Sequence, residues 1–286
     1  VENNPIAEFV VQFWGVRGSI PSPGPSTVRY GGNTSCIEMR VNGKHLIFDG
    51  GTGLRMLGKS LESETPLNSY IFFTHYHWDH IQGVPFFQPL FVENNYFSIY
   101  GQVPQEGEIM NLEQHFHHRV LHVNSPIPVR SVEAKLDFQE IVCGEEFTID
   151  DITLETRPLN HPNGAMGYRV SWGDHSIVYC TDTEHHPDRL DENVLHLARN
   201  ADILIYDAMY TDQEYNDPKS PKVGWGHSTW QEGVKIAQAA GVRKLAIFHH
   251  EPNHSDAMLD EIGVTVKEVF DGAFMAYEGL IVSAID

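Results

Sequence analysis

Tyr70-Ile71-Phe72-Phe73-Thr74-His75-Tyr76-His77-Trp78-Asp79-His80 runs an apolar stretch directly into three imidazoles and a carboxylate. In an extended segment alternate side chains share a side, so His75 and His77 project together, whereas the adjacent Asp79 and His80 need a chain that has turned. One pair therefore serves one ion and the other pair a second. Neutral imidazole with carboxylate suits zinc or a similar first-row divalent metal better than calcium or magnesium. The competing reading is a histidine-rich surface loop that meets metal only by accident. An apolar strand delivering the cluster, and suitable partners far along the chain, count against it.

Those partners stand where three later hydrophobic runs stop. His161 follows the strand-like Ile152-Thr153-Leu154-Glu155-Thr156-Arg157, Asp182 ends Ser176-Ile177-Val178-Tyr179-Cys180-Thr181, and His249 closes Lys244-Leu245-Ala246-Ile247-Phe248. Strand ends are where α/β folds place their chemistry. With the early cluster they give seven metal-ligand candidates: His75, His77, Asp79, His80, His161, Asp182 and His249. A carboxylate shared between two ions would let Asp182 bridge them.

Strand patterns are expected at Phe9 to Trp14, Cys36 to Val41, His45 to Phe48, Tyr70 to Thr74, Phe147 to Arg157, Gly167 to Trp172, His175 to Thr181, Ile203 to Tyr206 and Leu245 to Phe248. Helices are expected at Leu54 to Leu61, Leu190 to Asn200, Thr229 to Ala240 and Ser255 to Phe270. Alternating strand and helix in both halves implies two packed sheets with helices outside, an αββα sandwich of two mixed β-sheets. The chain has 286 residues, 41% hydrophobic, and no long Pro/Gly/Ser linker, so one domain over 1–286 is expected. Cys36, Cys143 and Cys180 include no CxxC pair, which disfavours a disulfide framework and favours a reducing compartment. The start Val1-Glu2-Asn3-Asn4-Pro5 is unlike a signal peptide, and no stretch approaches the ~18 apolar residues of a membrane span. A cytoplasmic protein without membrane association is expected; a homodimer is left open.

The HxHxDH pattern at His75 to His80 resembles the hallmark of the metallo-β-lactamase superfamily. Phe13-Trp14-Gly15-Val16-Arg17-Gly18-Ser19-Ile20-Pro21, Tyr30-Gly31-Gly32-Asn33-Thr34-Ser35-Cys36 and Phe48-Asp49-Gly50-Gly51-Thr52-Gly53 look like the N-terminal half of its phosphodiesterase branch, which holds ribonuclease Z and the cyclic-phosphate phosphodiesterases of phosphonate breakdown. Gly226-His227-Ser228-Thr229 and Leu204-Ile205-Tyr206-Asp207-Ala208-Met209-Tyr210 resemble the ribonuclease Z segments that relay a proton, with Asp207 where that family has Glu. The resemblance implies a metal-dependent hydrolase with two divalent ions, Zn2+ or else Mn2+ or Fe2+. His75, His77 and His161 would hold one ion, Asp79, His80 and His249 the other, and Asp182 would bridge. A hydroxide readied between the ions would attack phosphorus, with Asp79, Asp207 and His227 as the catalytic residues and His227 protonating the departing oxygen. For His227 the alternative is a capping role on the helix near Thr229, where Ser228 and Gln231 form a capping-box pattern.

Substrate class is read from departures. Asp182 lies only 21 positions after His161, as in the compact phosphonate-pathway enzymes, and no long Gly/Pro-rich insertion resembles a transfer-RNA-clamping arm. The net charge is -20, with 19 Lys plus Arg against 39 Asp plus Glu. Long polyanions gain affinity by releasing counterions to basic surfaces, so a small, cyclic phosphodiester or a nucleotide is favoured over long nucleic acid. Alternatives are a ribonuclease Z-like RNA endonuclease, an ester, thioester or lactone hydrolase on the same metals, or a non-hydrolytic diiron sensor. His77 speaks against the last, because the flavodiiron relatives carry an acidic residue there.

Several other polar residues are candidates. Asp49, ahead of two glycines, could hold a metal histidine in its tautomer or serve as a turn aspartate. Arg17 and Arg29 are candidates for phosphate contact, with structural ion pairing as the alternative. His249 and His250 are adjacent, so one should point inward; the resemblance favours His249 and leaves His250 and His254 as substrate contacts. Residues 101–135 include His115, His117, His118 and His122. They read as an amphipathic helix with its polar face outward, or as a lid over the metals. His185 and His186 read as surface loop, and His45 and His175 as exposed.

Overall fold

Buried and half-buried residues alternate strictly along Phe9–Gly15, as a strand with one face in a core requires. The computed structural model describes residues 8–102, 111–122 and 132–286. In it β1 (Phe9–Gly15), β2 (Cys36–Val41), β3 (Lys44–Phe48), β4 (Asn68–Phe72), β5 (Tyr96–Gln102) and β6 (Lys135–Ile141) lie side by side. A second group holds β7 (Glu146–Ile149), β8 (Ile152–Leu159), β9 (Ala165–Trp172), β10 (His175–Cys180), β11 (Ile203–Asp207), β12 (Lys244–Phe248) and β13 (Ala273–Met275). The chain then returns as β14 (Ile281–Ser283) to the open edge of β1. The result is two seven-stranded mixed sheets, ordered β14-β1-β2-β3-β4-β5-β6 and β13-β12-β11-β10-β9-β8-β7.

The sheets face each other across an apolar layer that includes Phe13, Met39, Phe48 and Phe72 from the first and Leu154, Tyr168, Ile205 and Phe248 from the second. The outer faces are covered by helices. α1 (Gly53–Ser60) packs on the first sheet; α4 (Glu192–Ala198), α6 (Trp230–Ala240) and α7 (Asp256–Val269) cover the second. Shorter helices are α2 (Trp78–Ile81), α3 (Leu112–His115) and α5 (Asp212–Tyr215). This is the expected αββα sandwich. Among the described residues no helix is long and apolar enough to cross a membrane. Cys36, Cys143 and Cys180 are free thiols.

At one end of the sandwich the inner layer turns aromatic. Phe48 stacks on Phe72 at 4.9 Å and Phe72 on Tyr100 at 4.8 Å, while Tyr168 and Tyr179 meet Phe48 edge-on. Buried tyrosine hydroxyls need partners, and here they tie the two sheets together. Tyr168 donates to the Phe73 carbonyl at 2.8 Å, and Tyr179 donates to Asp49 Oδ2 at 3.0 Å. The backbone joins them too, with the Met166 amide donating to the Thr74 carbonyl at 3.0 Å.

Several expectations need correction. The single strand over Phe147 to Arg157 is a hairpin, because Asp150 takes a left-handed backbone (φ 52°) that reverses the chain between β7 and β8. The metal-delivering strand ends at Phe72, so His75 and His77 lie beyond the ladder on extended chain. The cap of α6 is Thr229, whose hydroxyl accepts from the Glu232 amide; Ser228 instead meets the Tyr206 hydroxyl and His185. His45 and His175 are half-buried against Glu38 and Asp202. His185 and His186 are likewise half-buried, His185 on Ser228 and His186 beside Asp191. In the histidine-rich segment Phe116 and Leu121 are buried and Glu113, Gln114 and His118 exposed, as an amphipathic segment requires, but His115 is on the inner side, buried and stacked on Tyr76 at 5.0 Å. Residues 103–110 and 123–131, about half of the segment to which the lid expectation applied, lie outside the described residues.

Candidate metal centre

Six strand ends converge at the aromatic end of the sandwich. β3 is followed by Asp49, β4 by His75 to His80, β8 by His161, β10 by Asp182 and β12 by His249, while β11 ends on Asp207. Backbones there are bent hard: Asp49, Asp182 and His249 adopt φ of 61°, 54° and 62°. Left-handed conformations are uncommon for residues other than glycine, and they concentrate where a side chain must be aimed at a set point.

The seven candidate ligands fall into two groups around Asp182. On one side are His75, His77 and His161; on the other are Asp79, His80 and His249. Asp182 Oδ1 lies 3.8 Å from His75 Nε2 and 3.7 Å from His161 Nε2. Its Oδ2 lies 3.1 Å from His80 Nε2 and 3.2 Å from His249 Nε2. Asp79 Oδ2 closes the second group, 3.4 Å from His80 Nε2 and 3.5 Å from His249 Nε2. Within the first group His77 Nδ1 is 3.0 Å from His161 Nε2. Donor atoms about 2.0–2.1 Å from one tetrahedral ion stand roughly 3.3 Å apart, so the spacing suits an ion in each group.

Hydrogen bonding supports the same fit. The Nε2 atoms of His75, His80 and His249 are buried without a hydrogen-bond partner. Left so, each would cost about 1–3 kcal/mol. The opposite nitrogens of His75, His80 and His161 are held, whereas His249 Nδ1 has no hydrogen-bond partner either. His161 Nδ1 donates to the Gly226 carbonyl at 2.8 Å, and a carbonyl can only accept, so Nε2 is left bare toward the group. His80 Nδ1 meets Asp49 Oδ2 at 2.9 Å. Asp49 also accepts from the Thr74 amide and hydroxyl and from Tyr179, so it is both the turn aspartate and the partner of His80. His75 Nδ1 sits 3.0 Å from the Thr74 hydroxyl. The donor set and its bare nitrogens suit a pair of divalent cations.

Two glycines let the backbone press against these rings. A Cβ on Gly18 would stand 2.6 Å from the His249 ring. One on Gly226, whose φ is 84°, would stand 2.4 Å from His161 Nδ1.

Beside the second group lies a further pair. His227 Nδ1 is 2.8 Å from Asp207 Oδ2, and both residues are buried. Asp207 also accepts from the amides of Thr183 and Met209. Burial is the largest single influence and would lower the His227 pKa, but the carboxylates of Asp207, Asp182 and Asp79 together outweigh it and carry the imidazole up to about 9. The His227 ring stacks on His249 at 5.0 Å and lies 5.3 Å from His161.

The expected substrate contacts are mostly spent on structure. Arg17 is buried and donates to the carbonyls of Gly31, Glu251 and His254, bracing those loops, while its Nη2 has no hydrogen-bond partner. Arg29 forms a forked ion pair with Asp260. His250 is buried, its pKa pushed down to about 3 by burial, and its Nε2 donates to the Ala276 carbonyl. His254 pairs with Glu214 at 2.8 Å. Sequence reasoning missed the Ser19 amide, which donates to Asp79 Oδ2 at 2.8 Å, as well as Thr74 and Tyr179. Thr74 directly precedes the histidine run, and that adjacency is the one signal available. Tyr179 reads as an ordinary core tyrosine.

A family described as a β-lactamase superfamily domain matches residues 44–250, from the start of β3 to just past His249. Among curated proteins, a ribonuclease Z of Acaryochloris marina is 24% identical, the alignment covering 87% of this chain and 91% of the relative. Among solved structures, the metallo-β-lactamase fold protein YhfI of Bacillus subtilis superposes with a TM-score of 0.71 at 21% identity, covering 97% of this chain and 99% of that one. A diphosphatase from the PhnP family superposes with a TM-score of 0.67 at 17% identity, over 96% and 97% of the two chains. The fold, the converging strand ends and the matched span together place this chain in the β-lactamase superfamily.

Proposed function

We propose that the chain is a metal-dependent phosphodiesterase that hydrolyses a small phosphodiester, cyclic or nucleotide-like, with two divalent ions, Zn2+ by the imidazole and carboxylate chemistry of the donors. The observation that carries this reading is the division of the Asp182 carboxylate, one oxygen toward each group of donors. When bound, the ions would supply a water acidified toward neutrality as nucleophile and would neutralise charge on the phosphate. The remaining work belongs to side chains. Asp207 holds His227 through Nδ1, which leaves Nε2 to hand a proton to the departing oxygen. Asp49 and Thr74 keep His80 and His75 in the tautomers that turn Nε2 inward.

Two exposed indoles favour a substrate with a planar apolar part. Trp78 stands between His77 and Asp79, and Trp225 lies two residues before His227; they are 49% and 55% exposed. Stacking of a base on an aromatic ring contributes about 1–3 kcal/mol, so Trp225→Ala should raise KM for a nucleotide substrate roughly tenfold with kcat little changed. Steady-state kinetics on 2′,3′-cyclic nucleotides checks this; an unchanged KM would remove Trp225 from substrate binding.

The function itself is tested by comparing bis-p-nitrophenyl phosphate with p-nitrophenyl acetate, metal-loaded and chelated. Phosphodiester cleavage that disappears on chelation and returns with Zn2+ or Mn2+ is the expected result. Metal-dependent cleavage of the acetate alone would move the assignment to carboxylic esters. A second reading, an RNA endonuclease, is favoured by the ribonuclease Z relatives; precursor transfer RNA cleaved at a discrete site, in preference to cyclic nucleotides, would establish it. The net charge of -20 is the reason it stands second.

A further inference from the structure

Glu184 lies two residues beyond Asp182 and is 8% exposed. Its Oε1 accepts from the Tyr215 hydroxyl at 2.5 Å and the Gly224 amide at 2.7 Å, and its Oε2 accepts from the Gly226 amide at 2.8 Å. Its own backbone is tied to the end of β8, the Glu184 amide donating to the Asn160 carbonyl at 2.8 Å and the Asn160 side chain to the Glu184 carbonyl at 2.9 Å. A closed circuit results. Glu184 fixes Gly226, the Gly226 carbonyl holds His161 Nδ1 at 2.8 Å, and Asn160, next to His161, returns to Glu184. His227 follows Gly226 directly, and on its far side Ser228 is held by His185 at 3.0 Å.

Gly224 and Gly226 have φ of 85° and 84°, so this loop is built from residues with the widest choice of backbone conformation. Something must select one conformation, and charge-assisted bonds from two of its amides to a single buried carboxylate do so. We propose that Glu184 is a positioning residue: by pinning Gly224 and Gly226 it sets the pose of His161 toward its ion and of His227 toward the leaving oxygen. The part concerning His227 rests on the phosphodiesterase reading above; the part concerning His161 does not.

The test is Glu184→Gln in the full chain, with Tyr215→Phe as its companion. A glutamine has one acceptor oxygen, so whichever way it turns at least one of the two loop amides faces an NH2 group and loses its partner. Tyr215→Phe removes a hydroxyl donor and keeps both loop contacts. In competition with a chromophoric chelator, E184Q should lose zinc about 10- to 100-fold more readily than wild type, and Y215F should match wild type. Hydrogen exchange at the Gly224 and Gly226 amides should accelerate in E184Q alone. Turnover of 2′,3′-cyclic nucleotides, which expel an alkoxide, should fall more than that of bis-p-nitrophenyl phosphate, with KM little changed. If E184Q does not fold, Glu184→Asp, which keeps the charge but shortens the reach, should show the same pattern more weakly. Wild-type zinc retention and unchanged loop exchange in the folded variant would overturn the proposal. If the wild type cleaves no phosphodiester, the functional reading fails, while zinc competition and exchange still decide what Glu184 does for His161.

Discussion

On the proposed reading, the Asp182→Asn protein should hold at most one of two ions and turn over phosphodiesters no faster than chelated wild type. The expectation follows from how the carboxylate is shared. Oδ1 faces His75 and His161 at 3.8 and 3.7 Å, and Oδ2 faces His80 and His249 at 3.1 and 3.2 Å. An asparagine keeps one oxygen for one group and presents an NH2 donor to the other, which repels a cation and offers it no lone pair. The loss should exceed the roughly 10²- to 10³-fold that removal of a single charge-stabilising donor costs, because the group that readies the nucleophile goes with it. Asparagine is also the informative choice for the backbone. Asp182 has φ of 54°, a region Asn tolerates nearly as well as Asp, so the substitution changes the ligand without adding strain. Asp79→Asn is the contrast: Asp79 touches only the second group, so it should cost one ion and leave the first. Metal analysis per chain, beside a thermal melt to show that the fold survives, checks both. Two ions retained with near-native turnover in Asp182→Asn would end the shared-carboxylate reading.

Legibility in the sequence followed the length scale of the interactions. His75, His77, Asp79 and His80 are neighbours on one short segment, so their grouping needed only strand alternation and a turn. His161, Asp182 and His249 were legible because each closes a hydrophobic run, and β8, β10 and β12 point the same way in the second sheet. Contacts made through backbone atoms were not legible. Ser19 reaches Asp79 by its amide, Gly226 reaches His161 by its carbonyl, and neither residue type signals such a role. The role of Arg17 was hidden for a related reason: it donates to three carbonyls brought together by the loops at Gly31 and Glu251, a juxtaposition that exists only after folding. Strands β5 and β6 escaped because Gly101 and Glu140 stand where the alternation asks for an apolar residue, and parallel pairing, of β5 with β4 and of β6 with β5, supplies what local pattern does not.

His227→Ala should leave both ions in place and lower turnover by about 10²- to 10⁴-fold on a substrate that expels an alkoxide, the range for loss of a positioned general acid. On bis-p-nitrophenyl phosphate the loss should be much smaller, since p-nitrophenolate departs without a proton. The distinction depends on geometry. The His227 nitrogen nearest Asp182 is Nδ1, at 3.9 Å, and it is already taken by Asp207 at 2.8 Å, whereas His161 and His80 turn toward Asp182 the Nε2 that the Gly226 carbonyl and Asp49 leave untouched. The variant should fold, because Asp207 keeps the amides of Thr183 and Met209 and is not stranded as an unpaired buried charge. Asp207→Asn should reproduce the leaving-group pattern more weakly, for the imidazole stays but loses the partner that favours its protonated form. Two outcomes are decisive against the assignment. Equal losses on both substrates would mean that His227 does not protonate the departing oxygen. Loss of an ion would make His227 a ligand, a role its distances to Asp182, His161 and His249 would then have to explain.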